Sequence, residues 1–191
     1  KEFLGMAVCF GEEDTYFFRA GEELTSGVLL DLLTHSAAAG YMTLDLKPQL
    51  GLLHMIEQRE NGCLNQKNIF DNVIAAYLLN PMEDSYDYDD VAKEYLGNIL
   101  PSEKELIGKD ELNIFTFISD NFLEVFSYKA VVPLLAKDIV MDKLAKEGML
   151  ELYNKVELPT VYTLYDMEKR GIRVDKAELE EYSKKLEKRS E

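Results

Sequence analysis

The chain has 191 residues, 47% apolar, 30% charged and 10% aromatic, and its 21 Lys and Arg against 36 Asp and Glu leave a net charge of −15. At ~150 residues per domain, this is one domain or one plus part of a second, with enough apolar content to bury a core and exclude intrinsic disorder. The longest apolar run, AVVPLLA at 130–136, is too short to span a bilayer. No secretory signal opens the chain, and Cys9 and Cys63 with His35 and His54 make neither a disulfide framework nor a zinc site. A reduced, cytoplasmic setting without membrane contact is expected.

The charge is uneven. Residues 1–167 carry 13 bases and 29 acids (−16), whereas 168–191 carry eight and seven (+1). Such a body repels phosphate and is a poor autonomous binder of nucleic acid. Lys1 is not an initiator, and KKLEKRSE stops inside a helical pattern, as expected of a piece of a longer chain.

In chain order, FLGMAVCF (3–10) and DTYFFR (14–19) around GEED predict a β-hairpin. Residues 22–38 follow a helical period, with Leu24, Val28, Leu29, Leu32 and Leu33 on one stripe. YMTLDL (41–46) alternates as a strand, and Pro48 suits the first turn of a helix running to about Arg59. Asn61-Gly62 turns the chain toward a short strand ending near Phe70. Asp71 is placed to cap a helix over 72–79, stopped by Asn80-Pro81. The acidic run EDSYDYDD (83–90) leads into a helix ending at Gly97. Helices are then predicted over 111–127, 133–147, 149–169 and 176–191, with Pro133 separating the first pair and Gly171 the last.

Catalytic constellations are scarce. Two-metal nucleases need three or four carboxylates around cations ~3.5–4 Å apart. The Asp-x-Glu at Asp166 and Glu168 lies in a helix, where the two side chains point ~200° apart. Tyr-x-x-x-Asp occurs at Tyr41/Asp45, Tyr86/Asp90 and Tyr162/Asp166, too often among 11 tyrosines to be specific. Asp87, Asp89 and Asp90 lack the Gly and terminal Glu of a calcium loop and suit a helix N-terminus instead. Ser26 and Ser127 lack a nucleophile elbow, Cys9 reads as a core filler, and no phosphate-binding glycine loop occurs.

Two stretches are more specific. IFDNVIAAYLLNP…YDYDDVAKEYLG (69–97) and ELPTVYTLYDMEKRGIRVD (157–175) closely resemble bacterial DNA polymerase I, a family A polymerase. The first resembles part of its 3′–5′ exonuclease domain, the second the helix joining that domain to the polymerase domain. KAELEEYSKKLEKRSE is similar to the first polymerase helix. With the hairpin and strand order, the resemblance covers nearly the whole chain.

The resemblance implies an α/β, RNase H-like (DnaQ-like exonuclease) fold whose mixed sheet lacks its first strand and is followed by helices. It implies a degenerate exonuclease-like domain at 1–148, then a connecting helix and the first polymerase helices at 149–191. Of the family's acidic positions, the first pair falls upstream of Lys1. The second reads Thr43-Leu44-Asp45-Leu46-Lys47, putting Lys47 at the metal-binding Asp, and the third reads Tyr128 to Val132, with Val132 replacing the Asp. No catalytic, metal or cofactor-binding residue is then expected here. Mg²⁺ belongs to the parent polymerase, the partner is the polymerase domain of the same parent chain, and DNA is reached only through that chain. The central strand being absent, 3–10 is expected to pair directly with 41–46, or another chain to fill the gap. Two rivals are an active exonuclease with carboxylates relocated to Asp45 and Asp138, and an acidic protein-interaction module using the stripe Leu179, Tyr182 and Leu186.

Overall fold

Side chains directed alternately to the two faces of a partly buried ribbon shape the opening hairpin. In the computed structural model, which describes residues 4–11, 14–21, 25, 27–28, 40–51, 69–109, 116 and 118–190, β1 (Gly5–Cys9) pairs antiparallel with β2 (Thr15–Arg19), Gly5 opposite Arg19. Gly5 is needed there: a Cβ would lie 2.5 Å from the Phe18 carbonyl oxygen. Phe17 stacks on Phe126 at 6.0 Å between centroids, whereas Tyr16 meets Phe10 and Phe18 on the other face. The body of the expected helix 22–38, His35, the chain from residue 52 to 68 with His54, Cys63 and the Asn61-Gly62 turn, and residues 110–115 lie outside the described residues.

β3 (Tyr41–Thr43) pairs parallel with β4 (Ile69–Asp71), and residues 47–51 begin a helix with Pro48 in its first turn. The strand expected over 41–46 is therefore half as long. Leu44 and Leu46 are committed elsewhere: the Leu44 carbonyl accepts from Val73 N–H at 2.9 Å, and Leu46 N–H donates to Asp71 at 2.8 Å. Direct pairing of 3–10 with 41–46 does not form. The described strands make two separate two-stranded sheets, β1–β2 and β3–β4, rather than one mixed sheet.

Helix α1 (Asn72–Leu79) is capped by Asp71 and stopped at Asn80. Helix α2 (Tyr88–Val91) starts at Asp87, keeps Asp89 and Asp90 in its first turn, and widens into a π-helical segment, Ala92–Leu96, ending at Gly97. The acidic run therefore serves a helix start, where the exposed N–H groups favour negative charge. Helix α3 (Glu103–Leu106) escaped the sequence reading although Ser102 and Glu105 form a complete capping box.

Helix α4 runs unbroken through Asp120–Lys146 and corrects the expected break at Pro133. Proline in a helix interior costs ~3 kcal/mol through its missing N–H. Here that cost is offset because Val132, Pro133 and Ala136 are all buried on the core side of the helix, and a buried Val alone contributes about 1.5–3 kcal/mol. Both strand pairs pack against α4, which is thus the common backing of the two sheets.

After Gly148, α5 (Leu150–Leu152), a π-helical segment Tyr153–Glu157 and α6 (Leu158–Arg170) follow without interruption. Tyr153, Leu158 and Val161 join the same core as Leu46, Val132 and Leu144. Gly171, at φ 72°, ends α6 in a conformation that a side chain would strain. Helix α7 (Lys176–Ser190) closes the described chain. Among the described residues no helix is long and apolar enough to cross a membrane.

Leu144→Ala, at a fully buried position of α4, is expected to lower the unfolding free energy by about 2–5 kcal/mol. Asp138→Ala on the exposed face should stay within ~0.5 kcal/mol. Urea unfolding followed by circular dichroism checks both.

Candidate functional site

The end of β3 and the start of α1 bring together the residues to which the sequence drew attention. Asp71 closes β4 and caps α1, and its side chain is wholly buried. One carboxylate oxygen accepts from Ile74 N–H at 3.0 Å, the other from Leu46 N–H at 2.8 Å. Its own N–H donates at 2.8 Å to the Tyr153 hydroxyl, which in turn donates to the Asp71 carbonyl at 3.1 Å. Burial pushes the Asp71 carboxyl up to about 6, against the lowering effect of the backbone N–H groups, and Asp45 nearby raises it further.

Asp45 is spent on the turn. Its side chain accepts from Lys47 N–H at 3.2 Å, and its carbonyl accepts from Gln49 Nε2 at 3.0 Å. Tyr41 donates its hydroxyl to Gln49, and burial pushes that phenol up to about 12. Lys47 points away from this cluster and ion-pairs with Glu168 of α6 at 2.7 Å. Its hydrogen bond to Glu168 holds the ammonium above its ordinary range.

On α4, Tyr128 stacks on Tyr88 at 5.4 Å and donates its hydroxyl to Glu124 at 2.7 Å. Val132 is 1% exposed and lies in the core. Asp138 is exposed, on the side of α4 turned from the core. Of the other tyrosines in Tyr-x-x-x-Asp, Tyr86 donates to the Asn80 carbonyl. Ser127 donates to the Leu123 carbonyl one turn back, and the Cys9 thiol donates to the Gly11 carbonyl. Ser26, His35 and His54 lie outside the described residues.

Both Asp71 oxygens accept from backbone N–H groups and Asp45 holds its own turn, while the Lys47 ammonium is paired with Glu168. Among the described residues no group of three His, Cys, Asp or Glu side chains is gathered where an ion would sit. Sequence reading singled out Asp71 as a cap but missed Tyr153, which lies 82 residues away and carries no local signal of the contact.

Curated proteins are similar to this chain. DNA polymerase I of Bacillus subtilis is 30% identical over 117 residues, 61% of this chain, and that of Caldicellulosiruptor bescii is 28% identical over 147 residues, 75% of the chain. DNA polymerase I of Streptococcus pneumoniae is 32% identical over 114 residues. The chain is related to bacterial DNA polymerase I. It spans only 13–14% of the length of these DNA polymerase I relatives. No family model matches it.

Asp71 sets a pH dependence of stability. Its folded value of about 6 lies above the ordinary 3.8, so the folded chain holds a proton that the unfolded chain releases. That contribution is complete below the ordinary value and is lost as pH rises through about 6. Asp71→Asn should remove this fall, so that wild type minus variant stability decreases from pH 4 to pH 6.5 and is level above. Urea titrations at several pH values, followed by circular dichroism, check the difference.

Proposed function

We propose that this chain is the exonuclease-like segment of a family A DNA polymerase, catalytically inactive and structural, joined to the opening helices of the polymerase domain. In this reading residues 1–148 are the degenerate 3′–5′ exonuclease-like domain, and 149–191 are the connecting helix and first polymerase helices. The parent chain carries the DNA polymerisation of replication and repair, in the cytoplasm, with its Mg²⁺ held elsewhere in that chain. Its polymerase domain is the partner, and DNA is met only through it.

The observation that carries the reading is the pair Lys47 and Val132. The resemblance puts a metal-binding Asp at each position. Lys47 instead ion-pairs with Glu168, and Val132 is a core residue. An Asp at position 132 would bury an uncompensated charge, at a cost of about 3–5 kcal/mol. A relocated pair at Asp45 and Asp138 is poorly supported, since the first holds a turn and the second is exposed on α4.

An RNase H-like arrangement agrees with the two strand pairs. β1 and β3 each end a sheet, and both pairs rest on α4. One further strand between β1 and β3 would join them into the mixed sheet that the resemblance implies, satisfying both open edges.

In the parent polymerase, 3′-end release from single-stranded DNA with Mg²⁺ or Mn²⁺ is expected to stay at the level seen with EDTA, and Asp45→Ala to change nothing. Release that EDTA abolishes and Asp45→Ala reduces would overturn the reading in favour of a relocated active site.

A further inference from the structure

We propose that Lys47 is a positioning residue: its ion pair with Glu168 sets the direction of the last turn of α6. The inference stands on the geometry and does not require that an exonuclease was ever present.

Helix α6 enters the body by apolar burial. Leu158 and Val161 are in the core, and Tyr165 lies beside Gly51, where an added Cβ would stand 3.7 Å from the Tyr165 hydroxyl. That packing then runs out, because residues 166–170 are all exposed. In this last turn Lys47 Nζ reaches Glu168 Oε1 at 2.7 Å across 121 residues of sequence. Lys47 sits at the start of the helical turn 47–51, three residues of turn after β3.

Position makes a weak contact useful here. Glu168 lies three residues beyond Tyr165, the last side chain of α6 packed against the core, roughly 4.5 Å along the helix axis at ~1.5 Å per residue. A tether beyond that side chain restrains the exposed last turn, which burial does not hold. Beyond Gly171 the chain is non-helical over 171–175 and residues 171–189 are exposed throughout, so the tether is read on α6 itself. The charge matters as much as the reach. An Asp at position 47 would set like charge against Glu168, whereas Lys47 supplies the cation that fastens α6.

The pair is exposed, Lys47 by 40% and Glu168 by 61%, so its effect is a bias rather than a lock. Lys47→Glu is expected to speed amide exchange in residues 162–170 by about two- to five-fold, the range of a surface ion pair, with α1 unchanged. Residual dipolar couplings of α6 relative to α1 should shrink in the same variant. The charge swap Lys47→Glu with Glu168→Lys should restore both toward wild type, and 0.5 M salt should speed exchange in the wild type alone. Glu168→Gln tests the pair without touching the β3 turn and should show the same acceleration. Unchanged exchange in both single variants, or a swap that fails to recover, would overturn the proposal. DNA or nuclease assays do not enter this test, so its outcome is independent of the function proposed above.

Discussion

A single buried carboxylate organises the junction on which the rest of this protein depends. Asp71 ends β4, caps α1 and holds the Leu46 N–H of the turn after β3. The same residue's backbone is bracketed by the Tyr153 hydroxyl. Three segments far apart in sequence, the turn at Leu46, the β4–α1 junction and Tyr153, thus meet at one residue. Withdrawing a carboxylate from water is costly unless its lone pairs are met. Here two backbone N–H groups meet them, and the residual desolvation appears as the raised carboxyl value. The short length of β3 follows from the same junction, since Leu44 and Leu46 turn toward α1 instead of extending the ladder.

Helix α4 is the second organising element. It backs both strand pairs and contributes Val125, Val132, Ala136, Val140 and Leu144 to the core. Pro133 shows how tertiary packing overrides a local rule. Its ring removes one backbone bond, yet the burial on either side of it keeps the helix whole. The π-helical segment at Tyr153–Glu157 fits the same logic. It carries Tyr153, the side chain that bonds Asp71, at the point where the chain passes from α5 into α6.

The net charge of −15 looks different once its acids are located. Asp89, Asp90, Glu103 and Glu105 sit in the first turns of α2 and α3, where the helix N-terminus stabilises negative charge. Asp71 and Asp45 are occupied by backbone groups. Asp71 and Asp45 are therefore structural in their contacts, and the cation at position 47 is turned toward Glu168.

Much of the local structure was legible in the sequence. The hairpin, the Asp71 cap, the stop at Asn80-Pro81 and the Gly97 and Gly171 termini all rest on contacts within a few residues, which composition and spacing can report. The resemblance to bacterial DNA polymerase I was legible as well, because it lies in two contiguous segments. The short helix α3 was equally local, and its Ser102–Glu105 box was simply overlooked. What the sequence could not determine were the long-range choices. The continuity of α4 through Pro133, the separation of the strands into two pairs, the contact between Tyr153 and Asp71 and the ion pair between Lys47 and Glu168 were decided only by the tertiary structure. Each sets a local preference against burial or charge supplied by residues far along the chain, and that balance exists only once the chain has folded.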